Sequence, residues 1–205
     1  MSATDLEIRL PLPHLQGSVS VEQAIAHRRS RREFTAEPIT LQQFSQLLWA
    51  AQGITDPQGL RAAPSAGALY PLEVYAVVGK ITPLEPGVYR YRSKQHALEQ
   101  TGNGDKRAAL AYAAVGQLWI QDAPVSLVFS GIYERTTAKY RERGRRYVHT
   151  EAGHAGENVF LQAEALRLGT VVVGAFDDEA VARILQLDER EQPLVIMPIG
   201  RPKGE

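Results

Sequence analysis

Apolar residues recur at helical spacing in several segments of the chain, and helix-capping residues precede them. Ser20 with Gln23 and Thr40 with Gln43 have the capping-box spacing that starts a helix. The first of these helices is expected to bury Val21, Ala24 and Ile25, and the second to end at Gly53. Further helices are predicted from Asp105 to about residue 117, over 133–146, over 149–168, and after Asp178.

Other segments are rich in β-branched and aromatic residues, which favours strands. The predicted core strands are Leu72–Val78 and residues 124–130, 170–176 and 193–200, of which the last is apolar enough to be central in a sheet. Gly87–Arg92 and residues 96–101 alternate around a Ser-Lys-Gln turn and predict a peripheral hairpin. Residues 1–17, interrupted by two prolines, are expected to form an extended arm of a single domain spanning 1–205.

The charge balance argues against bulk electrostatic partners. The 205 residues include 23 Lys and Arg and 23 Asp and Glu, so the net charge is zero. We therefore expect neither nucleic acid nor membrane binding, and the interspersed acids in residues 133–146 argue against a nucleic-acid surface there. No apolar run reaches the roughly 20 residues that a membrane helix needs, and the chain has no cysteine. A cytoplasmic protein without disulfides, thiolate metal sites or a cysteine nucleophile is expected.

The run RRSRREF, residues 28–34, is the strongest candidate for binding chemistry. Four arginines surround Ser30 in a protein without net charge. Guanidinium forks with a hydroxyl donor suit a phosphate group. A solvated run of surface charges is the alternative.

Residues 61–78, RAAPSAGALYPLEVYAVV, place tiny side chains directly before a predicted core strand. Such a loop lets backbone approach a flat ligand or another backbone closely. A tight turn that binds nothing is the alternative for this segment taken alone.

The predicted helix 149–168 contains residue types that bind metals, but their spacing argues against a metal site. At about 100° per residue, His149, Glu151 and His154 point in different directions around a helix. No HExxH spacing is present, and we predict no metal. The small residues of this segment instead suggest close helix–helix contact, and a homodimer built on that stripe is expected.

The known nucleotide and hydrolase motifs are absent. The sequence contains no GxGxxG after a predicted strand, no GxxxxGK[ST] and no GxSxG. Dinucleotide-Rossmann, P-loop and α/β-hydrolase folds therefore have no support.

Four motifs occur in this order: RRSRREF, PSAGALYP, a GH-containing helix ending in LRLGT, and PIGRP. Together they resemble the flavin-dependent nitroreductase superfamily over nearly the whole chain. PSAGALYPLE, the Lys139–Tyr140 pair and EAGHAGENVFLQAEALRLGT are similar to its SagB/ThcOx-type branch. That branch includes dehydrogenases that oxidise azolines to azoles. The resemblance implies an α+β fold with a mixed, mostly antiparallel sheet flanked by helices. It also implies an intertwined homodimer with FMN at the subunit interface.

The resemblance also implies roles for individual residues. The FMN phosphate, ribityl chain and pyrimidine edge would be held by Arg28, Arg29, Ser30 and Arg32, with Arg201 completing the phosphate clamp. The residues along the isoalloxazine ring would be Pro64, Ser65, Ala66, Gly67, Ala68 and Leu69. Backbone near flavin N5 would come from Val173, Gly174 and Ala175. Many simple nitroreductases carry asparagine where this chain has Ala68, so backbone is expected to recognise the flavin.

Several activities are compatible with this resemblance. An oxidoreductase could use NADH or NADPH to reduce nitro or quinone compounds, as a stand-alone chain favours. It could instead dehydrogenate a small or peptide-derived substrate, with Lys139 and Tyr140 handling the proton. A flavin-binding module without turnover is the alternative function, and an exposed stretch of a charged helix is the alternative for the Lys139–Tyr140 pair. No cyclising enzyme or peptide-recognition domain is present in the sequence.

Overall fold

The apolar strands of the middle and end of the chain pair side by side in one sheet. A computed structural model of the protein describes residues 7–204. Within this range, three long strands, β3 (Leu72–Val78), β7 (Val125–Ile132) and β9 (Glu191–Gly200), pair antiparallel in that order. The remaining strands of the seven-stranded antiparallel sheet are β5 (Gly87–Arg92), β6 (Ala97–Asn103) and β1 (Glu7–Arg9) beyond β3, and β8 (Gly169–Thr170) beyond β9. A separate parallel pair joins β2 (Ile39–Thr40) to β4 (Ile81–Thr82).

This architecture confirms the α+β fold with a mostly antiparallel sheet but corrects the order of its strands. The hairpin β5–β6 is integral, because β5 pairs directly with β3. The strand predicted to be central, β9, lies between β7 and the two-residue β8, and β3 and β7 occupy the middle. Their double-sided pairing accounts for burial at almost every position of both strands.

The strand predicted over residues 170–176 is wrong in extent. Only Gly169–Thr170 pairs continuously with β9, and pairing returns at Val173 opposite Ile196 with N···O distances of 2.8 and 3.0 Å. The same register would put Val171 opposite Pro198, which has no N–H to donate. The ladder is therefore interrupted there, and the following residues leave the sheet.

Helices cover both faces of this sheet. Both predicted capping boxes are present, at Ser20 and at Thr40. Across the described residues the helices are α1 (Val21–His27), α2 (Leu41–Gln52), α3 (Arg107–Ala113), α4 (Trp119–Asp122), α5 (Glu134–Tyr140), α6 (Arg143–Ala165) and α7 (Asp178–Leu185). The apolar face expected for α1 is only partly used, because Ala24 is buried whereas Val21 and Ile25 are exposed.

Three helix boundaries differ from the prediction for local backbone reasons. The helix predicted to reach residue 117 ends at Ala113, because Val115 and Gly116 have positive φ angles of 59° and 72°. The helix predicted over 133–146 is broken at Arg141, whose φ is 53°, so that α6 begins well before residue 149. The cap of α7 is Asp177 rather than Asp178.

The long helix α6 packs against its own chain through the small residues that suggested a dimer contact. Ala152, Ala155 and Ala163 are buried in the core cluster shared with α2 and the sheet. Gly156 would place an added Cβ 3.8 Å from both Met197 and Val172. Ala152, Ala155, Gly156 and Ala163 therefore pack within the chain, whereas Gly153 is exposed, and the dimer contact predicted at this stripe stays a prediction.

The N-terminal arm is partly described. Its first six residues lie outside the described range, and Glu7–Arg9 forms the edge strand beside β6. No helix within residues 7–204 is long and apolar enough to cross a lipid bilayer.

Candidate functional site

The small-residue loop, residues 64–70, adopts a strained backbone. Gly67, Ala68 and Tyr70 have φ angles of 64°, 54° and 47°, a region that side-chain-bearing residues rarely adopt. A hydrogen bond within the loop stabilises the turn: the Tyr70 N–H donates to the Ser65 hydroxyl at 2.9 Å. Such backbone conformations persist only where the surrounding structure holds them, and they are frequent at ligand sites.

The Lys139–Tyr140 pair, at the end of α5, lies against this loop. A Cβ added to Gly67 would sit 2.8 Å from the Tyr140 hydroxyl and 3.0 Å from Lys139 Nζ. Tyr140 is half-buried and packs edge-on against Tyr147 with ring centroids 5.1 Å apart, whereas Lys139 is exposed. Both side chains therefore end close to the position that a Cβ on residue 67 would take, and a side chain there would require them to shift.

A buried carboxyl, Glu151, lies beneath the loop. Its residue is 2% exposed, and it accepts a hydrogen bond from Gln52 Nε2 at 3.4 Å. Gln52 Oε1 in turn accepts from Arg61 Nη1 at 3.0 Å. Burial raises the pKa of Glu151 to about 7, although the hydrogen bond from Gln52 and the nearby Arg61 and Arg135 oppose the shift.

Two arginines fix the far end of the loop. Arg61 donates its backbone N–H to the Tyr70 hydroxyl at 3.1 Å and stacks its guanidinium over that ring at 4.5 Å. Arg135, on α5, donates to the Tyr70 carbonyl at 3.0 Å and pairs with Glu73 at 2.6 Å. Arg135 therefore ties the helix carrying Lys139 to the loop. Sequence reasoning missed Arg61, Glu73, Arg135 and Glu151, because the contacts that give them meaning are almost all between distant segments.

The arginine-rich segment runs along the other end of the sheet. Ser30 forms a bridge with Thr170 of β8, and the Arg31 N–H donates to the Thr170 carbonyl at 2.9 Å. Farther along, the Thr35 N–H donates to the Arg201 carbonyl at 2.9 Å. The structure thus brings the segment predicted to bind phosphate alongside Arg201.

The arginines of this segment differ in how far they are already engaged. Arg28 places its guanidinium 5.2 Å from the Phe160 ring of α6. Arg29 donates to the carbonyls of Ala26 and Arg28, at 3.1 and 2.7 Å, and Arg32 is exposed. Arg201 lies 2.9 Å from Glu37, so an anion at Arg201 competes with that carboxylate.

The third predicted element, Val173 to Ala175, offers exposed backbone. Val173 is tied to β9, but Gly174 and Ala175 are exposed, and a Cβ on Gly174 would meet nothing within 4 Å. Beside it, a groove of about 270 Å³ runs between α6 and β9. Its walls include Gly153, Gly156 and Phe160 of α6, with Val172 and Leu194 opposite.

The predicted contacts therefore fall into two sets on different sides of α6. Arg28 lies over Phe160, and Val172, which directly precedes Val173–Ala175, lines the groove beside Phe160. The loop adjoins His154, whose ring nitrogen is 3.4 Å from the Pro64 carbonyl, and Glu151. At 100° per residue, Phe160 is about 120° from His154 and about 180° from Glu151 around the helix. One chain does not gather both sets on a single face.

His149, Glu151 and His154, which the sequence analysis rejected as metal ligands, do not converge. Within the described range, no three His, Asp or Glu side chains are grouped to hold a metal ion. His149 contacts the Tyr133 hydroxyl at 2.9 Å, His154 approaches Pro64, and Glu151 is buried under the loop.

Comparison with known proteins identifies relatives along almost the full chain. A profile of the nitroreductase family matches residues 25–201. A protein of Methanocaldococcus jannaschii described as a nitroreductase is 43% identical over 194 residues, which cover 95% of this chain and 96% of that protein. The microcin B17-processing protein McbC of Escherichia coli is 30% identical over 79% of this chain, and the match spans 62% of McbC.

Solved structures show the same fold. A crystal structure described as a nitroreductase of Ralstonia eutropha superposes with a TM-score of 0.85 at 31% identity, over 100% of this chain and 93% of that one. An NADPH:FMN oxidoreductase of Vibrio harveyi, solved with NAD+, gives a TM-score of 0.64 at 25% identity, over 89% of this chain and 69% of that one.

Proposed function

Because this chain belongs to the nitroreductase family, we propose that it is an FMN-dependent oxidoreductase that passes hydride through flavin N5. Membership of this family makes the protein an oxidoreductase of the nitroreductase superfamily. The identity of the flavin as FMN and the nature of the substrate are what we propose. The observation that carries it is the meeting of Lys139 and Tyr140 at Gly67, which sets a proton-handling pair against the loop expected to face the flavin ring.

The side chains present fit such a cofactor. Exposed arginine donors and the Ser30 hydroxyl suit a phosphate monoester and a polyol chain. A backbone-only cradle at Gly67 and an open backbone position at Gly174 suit a flat aromatic ring. When bound, FMN supplies the hydride chemistry, and the protein supplies orientation and proton transfer.

The two sets of contacts on opposite sides of α6 support a site shared between two copies. One copy would contribute Arg28, Arg29, Ser30, Arg32, Arg201 and Val173–Ala175. Its partner would contribute the loop from Pro64 to Leu69, with Lys139 and Tyr140. A homodimer is therefore part of the proposal, as is a cytoplasmic location.

The placement of Lys139 and Tyr140 favours dehydrogenation of a small or peptide-derived substrate. As the neutral amine, Lys139 would accept the proton from the carbon next to the one that loses hydride, and Tyr140, half-buried against Tyr147, would hold the substrate or share that proton. The match to McbC, a processing protein whose structure is known in the McbBCD synthetase bound to a truncated precursor, points to the same chemistry.

A reductase driven by NADH or NADPH is the second candidate. The relatives described as nitroreductases and the V. harveyi NADPH:FMN oxidoreductase favour it. A third possibility is a protein of this fold that binds flavin but catalyses no reaction. In that case no donor would bleach the bound flavin.

Two assays on the FMN-loaded protein separate these possibilities. A peptide carrying one thiazoline should lose two hydrogens, detected by mass spectrometry, if the protein is a dehydrogenase. NADH or NADPH with a quinone and a nitroaromatic acceptor should turn over if it is a reductase. Lys139→Ala should abolish the first activity while leaving FMN content and reduction by nicotinamide intact. Peptide oxidation by that variant at the wild-type rate would remove Lys139 from the chemistry.

A further inference from the structure

Tyr70 is a strained residue at the end of the small-residue loop, and neighbouring groups hold it from several directions. Its φ is 47°, and its N–H donates to the Ser65 hydroxyl at 2.9 Å. Its hydroxyl accepts the Arg61 N–H at 3.1 Å, and its carbonyl accepts from Arg135 Nη1 at 3.0 Å. A left-handed tyrosine persists only where its surroundings hold it. Of these three partners, Arg135 is the one that comes from another element, α5.

Arg135 lies one helical turn before Lys139, on the same face of α5. Four residues of helix turn a side chain by about 40° and advance it by about 6 Å. The guanidinium of Arg135 is divided between two anchors, because Nη1 donates to the Tyr70 carbonyl and Nη2 pairs with Glu73 at 2.6 Å. The rigid fork of an arginine fixes both contacts at once. One side chain therefore sets the distance between α5 and the loop.

The carboxylate that Arg135 pairs with is itself held by the sheet. Glu73 lies on β3, and its second oxygen is 3.2 Å from Arg90 of β5. Arg90 is in turn 3.7 Å from Glu191 of β9, a side chain that is 2% exposed and accepts the Ser130 hydroxyl at 2.8 Å. An isolated surface ion pair contributes little, whereas charges of alternating sign in a network hold one another in place. Arg135 thus joins the loop and α5 to the framework of the sheet.

We propose that Arg135 is a positioning residue, which holds the Lys139–Tyr140 pair against the loop at the separation that the reaction needs. This rests on the proposed function, in which the loop faces the flavin and Lys139 accepts a proton from the substrate. The guanidinium is already engaged by Tyr70 and Glu73, so Arg135 acts through the two segments that it joins.

The rate of proton transfer depends strongly on such a separation. A displacement of about 1 Å at a reacting group can lower the rate on the order of 100-fold. In Arg135→Lys, the ammonium is a single point charge that does not reproduce both contacts of the fork. We therefore expect this variant to keep its fold and its affinity for FMN. Its kcat for peptide oxidation should fall by about 10- to 100-fold, with little change in KM.

Arg107→Lys is the matched control for this test. Arg107 makes the same kind of fork, since Nη1 donates to the Ala123 carbonyl at 3.1 Å and Nη2 to Asp105 at 2.7 Å, and it belongs to neither set of predicted contacts. The measurements are kcat and KM with the thiazoline peptide, thermal unfolding, the dissociation constant of FMN, and hydrogen exchange of residues 64–70 in the flavin-free protein. Arg135→Lys should lower kcat and speed exchange in the loop while losing no more thermal stability than Arg107→Lys. The control should keep the wild-type kcat and loop exchange.

Arg135→Ala provides a second arm, because the Arg135 side chain is 36% exposed and the space that it leaves is open to small cations. Millimolar guanidinium should restore part of the lost turnover, and ammonium at the same concentration should not. A wild-type kcat or wild-type loop exchange in Arg135→Lys overturns the inference, as does a guanidinium effect no larger than that of ammonium.

The wild type separates failure of this inference from failure of the proposed function. A wild type that oxidises the peptide while Arg135→Lys does so equally well overturns the inference alone. A wild type that binds FMN but oxidises no thiazoline peptide overturns the dehydrogenase assignment and the inference with it. A wild type that binds no FMN overturns the proposed function as a whole.

Discussion

At the scale of single residues, the environment of each arginine decides what it can offer a ligand. Arg28 is anchored over Phe160 by its π contact, which fixes the guanidinium without occupying a carboxylate. Arg201 lies against Glu37, so part of any gain from a bound anion is offset by the loss of that pair. Arg143, at the start of α6, is exposed and belongs to neither set of predicted contacts.

Replacing Arg28 by Ala should weaken FMN binding by about 1.5–3 kcal/mol, because it removes a charge-assisted contact to phosphate. Arg201→Ala should act in the same direction but less strongly. Titration with FMN measures both effects, and riboflavin affinity should hardly change. Arg143→Ala is the matched control. Unchanged FMN affinity in both Arg28→Ala and Arg201→Ala would mean that the phosphate lies elsewhere.

The raised pKa of Glu151 also predicts how stability varies with pH. The ordinary pKa of this carboxyl is 4.5, and burial raises the pKa to about 7 in the folded protein, so between these pH values the folded state holds the extra proton. The free energy of unfolding contributed by this group is therefore largest below pH 4.5 and falls as the pH rises to 7.

Glu151→Gln should lose this dependence and be more stable than the wild type at pH 8, by on the order of 2–3 kcal/mol at most. Urea unfolding at acid and alkaline pH measures the difference, with Glu164→Gln as the reference for a simple loss of charge. Parallel pH profiles for Glu151→Gln and the wild type would show that Glu151 carries no raised pKa.

At the scale of elements, the loop between α2 and β3 is the part whose geometry most constrains its sequence. Gly67 combines a left-handed backbone with two side chains pressed against the position of a Cβ. The cost of the left-handed backbone can be separated from the cost of the steric contact, because Gly104 has only the first. Its φ is 78°, and an added Cβ would meet nothing within 4 Å.

Gly67→Ala should therefore lower turnover well beyond any loss of stability, since Tyr140 and Lys139 must move. Gly104→Ala should cost only the backbone strain, about 1 kcal/mol, and leave turnover unchanged. Turnover and thermal unfolding of both variants are the measurements. Equal effects on turnover would mean that the closeness of Lys139 to Gly67 has no role in the reaction.

Elements whose start or end is set by neighbouring residues could be predicted from the sequence. Elements whose extent depends on a contact with a distant segment could not. Ser20–Gln23 and Thr40–Gln43 fix their helix starts within one turn, and both are present as expected. The interruption after Thr170 depends on Pro198 standing opposite in the sheet, a pairing that no local pattern contains. Likewise the resemblance identified Gly67 and Lys139 separately, but their approach joins segments about 70 residues apart, which no local pattern contains.

At the scale of the whole molecule, α6 separates the two halves of the proposed site. Its buried stripe faces the sheet and α2, whereas Gly153 is exposed, and the dimer contact expected from its small residues stays a prediction. Large apolar side chains are exposed elsewhere, on the N-terminal arm and α1: Leu12, Leu15, Val21 and Ile25. This surface is a second candidate for the dimer contact.

A shared site predicts complementation between two defective chains. Arg28→Ala and Lys139→Ala damage different sets, so a mixed dimer would contain one site with both lesions and one intact site. Co-expressed and co-purified through two different tags, the mixed dimer should recover about half the wild-type activity per dimer. Each variant alone is the control. Activity no higher than the average of the two parents would place both residues in the same chain's site.

The central claim, that this protein works through FMN, is tested most directly by equilibrium dialysis of the purified protein against FMN, with the visible spectrum recorded. We predict saturable binding of one FMN per chain, with a perturbed flavin spectrum and a dimeric mass. A protein that stays colourless, binds no FMN and gains no thermal stability from it would contradict the account.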